Sequence, residues 1–383
     1  MALDRMFARF VQSGQAAGVL LLACTLLALT IANSGLADSY HGLWHSKIAG
    51  MSAAHWVNDG LMAIFFLLIG LELEREMYVG ELSAPRKALL PFFAAAGGMA
   101  APAAIHLALN GGTSTQAGFG IPMATDIAFA LAALGLLRSR IPPALKVFVV
   151  AFAVIDDLGA IVLIATAYSA ELALGYLLTA LSIWGALIAL NRFGRVMALT
   201  PYLVGGAAMW FCFLHAGIHA SIAGVLLAFA IPFRSRHPEA HSPSHRLEHW
   251  LHRPVNFLIL PLFALANTAI IIDAPLIADL LGRNGLGILL GLVVGKPLGV
   301  ALFSWIAIRS GLCALPSGVG WHQLIGAGVL GGIGFTMSIF ISNLAFAHDS
   351  QLIESSKLAV LCASAISGMA GFAWLLRRRV PAG

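Results

Sequence analysis

The chain has 383 residues, 60% of them hydrophobic and only 10% charged, and its mean hydropathy is +0.90. A soluble globular protein carries about 25% charged residues, so this composition excludes a water-soluble enzyme or binding module and predicts an all-α polytopic membrane protein. The net charge of +5 would suit a nucleic-acid surface, but the placement of the basic residues gives it another meaning.

Apolar runs separated by breakers predict about twelve transmembrane helices, near residues 12–32, 58–79, 87–109, 115–137, 143–168, 172–191, 199–213, 216–232, 247–271, 285–308, 321–347 and 353–376. Met1 to Gly14 is short and mixed, and the first apolar run is long enough to remain as a span, so no cleaved signal peptide is expected. Spans seven and eight are short and divide at His215-Ala216-Gly217. Cys24, Cys212, Cys313 and Cys362 are scattered and form no CxxC pair, which points to neither a disulfide framework nor a zinc site. The segment Ser34 to Trp56, with Tyr40, Trp44, His45, His55 and Trp56, suits either a small interfacial hairpin or an irregular loop. Pro232 to His245, rich in Pro, His, Ser and Arg, reads as a solvated linker between two halves of the bundle.

With the N-terminus inside, eighteen of the 22 Lys and Arg residues fall in internal loops. Only Lys47, Arg283 and Lys357 fall outside, and Lys296 lies within a span. This asymmetry orients the chain with both termini cytoplasmic. The basic balance is thus a topology signal, and no nucleic-acid partner is expected.

Two spans should not be continuous helices. Span four contains Gly118-Phe119-Gly120-Ile121-Pro122-Met123-Ala124-Thr125-Asp126. Proline lacks a donor and disfavours helix at the preceding residue, so the helix is predicted to open near Ile121. Span eleven carries Gly326, Gly328, Gly331, Gly332 and Gly334 ahead of Phe335-Thr336; close helix packing is the other use such glycines serve. Spans four and eleven are seven apart and run in opposite directions. Spans 3–5 and 10–12 can therefore be inverted repeats, each with its broken helix in second place, which is the sequence pointer to a transporter's binding site. Each break presents a positive helix N-terminus and a negative C-terminus. Asp126 is placed to offset the first, and Lys296 of span ten the second.

Span five holds Asp156 and Asp157 at its middle, where an ionised carboxylate costs several kcal/mol or more. Neighbouring helix positions point about 100° apart, so the two cannot both face one partner. One arrangement turns one acid to a water-filled cavity and the other to a cation; two protonated acids packed against helices is the plainer alternative. Span ten offers Lys296-Pro297 after Gly287, Gly291 and Gly295, with Gly299 continuing a four-residue period suited to close packing. The partner of Lys296 is expected to be Asp156 or Asp157.

These pieces, in order, resemble the NhaA-type Na⁺/H⁺ antiporters, inverted-repeat transporters, over essentially the whole chain. They are Asn58-Asp59-Gly60-Leu61-Met62-Ala63-Ile64-Phe65-Phe66-Leu67-Leu68-Ile69-Gly70-Leu71-Glu72, Ala124-Thr125-Asp126-Ile127-Ala128-Phe129-Ala130, Ile155-Asp156-Asp157-Leu158-Gly159-Ala160, Gly217-Ile218-His219-Ala220, Arg246-Leu247-Glu248-His249 and Gly295-Lys296-Pro297-Leu298-Gly299. The resemblance implies a single transporter domain over 1–383. Spans 3–5 (87–168) and 10–12 (285–376) would form the ion-site core, with two broken helices crossing at mid-membrane.

It also implies electrogenic exchange of cytoplasmic Na⁺ or Li⁺ for external protons, activated by rising internal pH, in a bacterial inner membrane. Asp157 is then the principal ion ligand and Asp156 the partner of Lys296, with Thr125 and Asp126 at the broken-helix site. Glu72, Arg75, Glu76, His219, Glu248, His249 and His252 form the pH-response set. The transported ions and the lipid bilayer are the expected partners, a homodimer is compatible with this reading, and no cofactor is called for. The chain departs from the family pattern at Leu251-His252-Arg253-Pro254, where Leu-His-Pro-Trp is usual, and at His245, commonly Lys.

Other classes fit less well. An intramembrane aspartyl protease needs acids on two helices and a Gly-x-Gly-Asp signature, which does not occur. A primary pump would need a phosphate-binding loop, also missing from the sequence. An ion-coupled symporter of an organic solute on the same architecture is the nearer alternative, although polar and aromatic lining for a solute pocket is sparse in spans 3–5 and 10–12.

Overall fold

A computed structural model describes residues 14–137, 141–168, 172–234 and 242–377. Outside them lie Arg5, Arg9, Arg138, Arg140, Arg236, Arg378 and Arg379 of the topology count, and His237 and His241 of the linker. The described chain is helical apart from loops and one two-residue hairpin, Lys47–Ile48 with Met51–Ser52. Ala49 and Gly50 turn that hairpin with positive φ values of 48° and 89°, the mirror-image turn that suits the twist of paired strands. A short helix, Ala37–His45, precedes it. A hairpin thus occurs in this segment, but only over four paired residues, and the helix ahead of it is foreseen by neither reading.

Eight helices among the described residues are long and apolar enough to cross a membrane, nine when the bent pair Trp321–Gly331 and Phe335–Ala345 counts as one. They coincide with predicted spans one to six and ten to twelve. Spans seven, eight and nine appear as shorter or interrupted pieces: Thr200–Ala216, Ile222–Ala230, and Pro243–Pro254 continued through Val255–Ile259 to Leu260–Asn267. Thr200–Ala216 ends on Gly217 at φ 79°, a left-handed stop that glycine adopts without strain. The predicted division between spans seven and eight therefore has a backbone cause.

The chain forms two compact units. One comprises Met1–Asp38, Glu81–Ala160 and Asn267–Gly383, and so holds spans one, three, four, ten, eleven, twelve and most of five. The other comprises Ser39–Gly80 and Ile161–Ala266.

Within the first unit the glycine stripe of span ten does what its period predicts. A Cβ on Gly299 would strike the Gly97 carbonyl oxygen, and a Cβ on Gly97 the Gly299 oxygen. Gly295 and Gly291 face Pro102, and Gly287 faces His106 and Asn110. The helix Arg283–Arg309 is thereby seated backbone to backbone against Pro85–Asn110. Ahead of Lys296 it widens into a π turn, Gly291–Gly295, in which the Lys296 amide donates to the Gly291 carbonyl, five residues back. Pro297 has no N–H to continue the regular ladder, so an irregular turn at this point is expected.

Candidate ion site

Span four starts as a tight 3₁₀ segment, Gln116–Met123, runs extended through Ala124, and resumes as the helix Ile127–Leu136 with Asp126 as its N-cap. Span eleven is the helix Trp321–Gly331, then Gly332 to Gly334, then Phe335–Ala345, bent by 44°. The opening in span four thus lies at Ala124 to Asp126, three residues beyond the expected Ile121. The tighter 3₁₀ ladder accommodates Pro122, and the partners that hold the chain open belong to span eleven.

Those partners tie the two breaks together. The Asp126 amide donates to the Ile333 carbonyl (2.6 Å), and the Thr125 hydroxyl to the Gly331 carbonyl (2.8 Å). The Asp126 carboxylate accepts from its own helix at Phe129 N (3.0 Å). It also accepts from the start of the opposite half-helix, at Thr336 N (3.1 Å) and Thr336 Oγ1 (2.5 Å). One acid therefore sits against two helix N-termini, where orphan amides and dipoles favour negative charge. Ser338 Oγ donates to the Ile121 carbonyl (2.6 Å), and Lys296 Nζ to the Met123 carbonyl. Thr125 and Lys296 so answer the negative ends of the two first halves.

Lys296 also resolves the choice left by the sequence: its ammonium donates to Asp156 Oδ2 (2.7 Å), and both side chains are fully buried. The Lys296 stem runs between Gly98 and Gly331, with the ammonium 5.7 Å from the centre of the Phe152 ring. Thr125 faces the Asp156 carboxylate from the break of span four. Asp157, one residue on, is equally buried and within electrostatic reach of the same ammonium. Asp156, Asp157, Thr125, Asp126 and Lys296 are thus gathered in one unit. Thr336 and Ser338 belong with them and escaped the sequence reading; the available signal was a hydroxyl just past the glycine run of span eleven.

The expected pH-response residues divide. Arg75 Nη1 donates to Glu248 Oε1 (2.5 Å), and Arg75 Nη2 to Glu76 Oε1 (3.2 Å). His252 Nε2 lies 3.4 Å from Glu72 Oε1 and 3.7 Å from Glu248 Oε1. His245, at the departure from the family pattern, is 3.6 Å from Glu248 Oε2. The buried Glu74, absent from the expected set, accepts from Ser244 Oγ (2.9 Å).

Two predicted members lie elsewhere. His249 is exposed on the helix Pro243–Pro254, because one residue beyond Glu248 turns it about 100° away. His219 pairs through Nε2 with Asp59 Oδ1 (3.1 Å) and through Nδ1 with Ser221 Oγ (2.7 Å), while His55 holds the other Asp59 oxygen at 2.8 Å. Asp59 and Glu72 share the helix Ala53–Tyr78, but thirteen residues separate them by about 20 Å. His219 therefore belongs at the opposite end of that helix from Glu72.

The family model for Na⁺/H⁺ antiporter 1 matches residues 8–375. The chain belongs to this family. It is 58% identical over 373 residues, 97% of this chain and 96% of the relative, to the Na⁺/H⁺ antiporter NhaA of Dechloromonas aromatica. The protein of that name from Cytophaga hutchinsonii is 53% identical over 375 residues, covering 98% of this chain and 96% of the relative. That from Vibrio campbellii is 47% identical over 368 residues, covering 96% and 94%. The two broken helices, the adjacent acids and the buried lysine of this chain are set in a single constellation.

Proposed function

We propose that this chain is a secondary antiporter that exchanges cytoplasmic Na⁺, or Li⁺, for external protons. The observation that carries the reading is the adjacency of Asp156, Asp157 and Lys296 to the crossing of two broken helices. A hard cation takes oxygen ligands, and the crossing supplies carboxylates, the Thr125 hydroxyl and freed main-chain carbonyls, the materials from which such sites are built. The same carboxylates bind protons. When one site holds either Na⁺ or H⁺ and alternates its exposure, competition yields antiport without ATP. Asp157 is the principal ion ligand in this reading, Asp156 the partner of Lys296, and Asp126 the group that neutralises two helix N-termini. The names of the relatives favour antiport, and the alternative of an organic-solute symporter finds no support.

In the same reading the protein lies in a bacterial inner membrane with twelve spans and cytoplasmic termini. Spans 3–5 and 10–12 are inverted repeats forming the core, and a homodimer is compatible with this arrangement. Glu72, Arg75, Glu76, Glu248 and His252 lie at the cytoplasmic face and adjust activity to internal pH. Histidine suits this because its ordinary pKa lies near neutrality. If more than one proton moves per Na⁺, each net charge is driven by about 2.3 kcal/mol per 100 mV.

Proteoliposomes with an imposed pH gradient test the reading when Na⁺, Li⁺ and K⁺ are added in turn. Na⁺ and Li⁺ are expected to dissipate the gradient and K⁺ to leave it standing. A gradient insensitive to Na⁺ contradicts the proposal.

A further inference from the structure

Glu72, Glu248 and His252 each offer one ligand atom to a group whose members all lie within 4.8 Å of one another. Two edges of that group meet at His252 Nε2, at 3.4 Å to Glu72 Oε1 and 3.7 Å to Glu248 Oε1. Both are long for an N–H···O hydrogen bond, about 2.7–3.2 Å. A tetrahedral ion with ligands at about 2.0–2.2 Å holds its ligand atoms roughly 3.3–3.6 Å apart. Two of the three edges stand near ligand spacing, and the third is no longer than 4.8 Å.

We propose that Glu72, Glu248 and His252 form a binding site for a divalent transition-metal cation of the Zn²⁺, Co²⁺ or Ni²⁺ class, with water completing the coordination. One imidazole nitrogen with two carboxylate oxygens selects this class over Mg²⁺ or Ca²⁺, which prefer oxygen throughout. Glu248 and His252 are four apart, hence on one helix face, and Glu72 comes from the helix Ala53–Tyr78. A bound ion therefore bridges two helices of the same unit.

The His252 side chain is 41% exposed and Glu248 only 4%, so the site has an entry side and a buried wall. Arg75 occupies Glu248 Oε1 and is the competitor an ion must displace. Its existing contact with Glu76 Oε1 at 3.2 Å gives the guanidinium a place to remain. His245, 3.6 Å from Glu248 Oε2, sets a second imidazole beside the site. The inference is separate from the antiport reading, since the site binds or fails to bind metal whether or not the chain exchanges ions.

Calorimetric titration of the full-length, tag-free protein in detergent with ZnCl₂ is the test. One equivalent is expected to bind. His252→Ala and Glu72→Gln should each weaken it at least about tenfold, while His249→Ala, which alters an exposed histidine on the same helix, leaves it unchanged. His252→Cys with CoCl₂ gives a readout that a merely structural role would not produce: a thiolate-to-cobalt charge-transfer band. Any of three results overturns the proposal: no saturable binding by the wild type, wild-type affinity in His252→Ala, or equal weakening in His249→Ala.

Discussion

The crossing around Asp126 and the cluster around Glu248 both join charged side chains from helices distant in sequence, yet they are built from different materials. At the crossing the framework is main chain: four half-helix ends answered by Asp126, Thr125, Thr336 and Lys296, all buried. At the cluster, helix backbone is intact around Glu248, and the groups are long side chains, with Arg75 31% and His252 41% exposed. Charge in the dry environment is strongly coupled, while solvent screens much of the interaction in the other. The first arrangement can hold an ion but tolerates little change; the second can respond in small steps.

Removing a charge at or beside the crossing should therefore act in an all-or-none manner. Asp157→Asn is expected to reduce Na⁺-dependent proton movement in proteoliposomes to background while the protein inserts and folds; near wild-type exchange would remove Asp157 as the ion ligand. Lys296→Ala leaves Asp156 buried without its cation, and breaking one side of such a pair costs about 3–5 kcal/mol. A clear drop in the thermal unfolding temperature in detergent is the expected sign. Unchanged stability would mean that the ammonium is not the group neutralising Asp156.

A smaller effect is expected from Thr336→Val, which removes the hydroxyl donating to Asp126 but keeps the shape. Hydrogen bonds to charged groups contribute about 1.5–3 kcal/mol, and denaturant unfolding reads the loss. No loss would show that the amides of Phe129 and Thr336 suffice for that carboxylate. The mildest changes belong to the cluster around Glu248, whose outer members Arg75 and His252 are part-exposed. Glu248→Gln and His252→Ala are expected to displace the pH–activity profile at saturating Na⁺ with a similar maximum; for His252, whose side chain is 41% exposed, the change in stability is about 1 kcal/mol or less. Superimposable profiles would mean that the cluster only anchors helix ends.

Much of this contrast was legible in the sequence, for identifiable reasons. Pro122 and the glycines of span eleven announce broken backbone because their effect is local. The four-residue glycine period of span ten announces a packed face. What stayed hidden depended on contacts more than 100 residues away. The opening at Ala124 to Asp126 is held by Ile333, Gly331 and Thr336. The choice of Asp156 over Asp157 for Lys296 turns on one step of helix rotation. His219 and His249 carry the right chemistry for the cluster around Glu248, but helix length displaces the first and helix phase the second.

The central claim is that Na⁺ and protons compete for the carboxylates beside the crossing. Calorimetric titration of Na⁺ into detergent-solubilised protein, repeated in buffers of different ionisation enthalpy, counts the protons released on binding. Wild-type protein should release protons as Na⁺ binds, and Asp157→Asn should neither bind Na⁺ measurably nor release them. Na⁺ binding without proton release, or equal release from Asp157→Asn, would contradict the account.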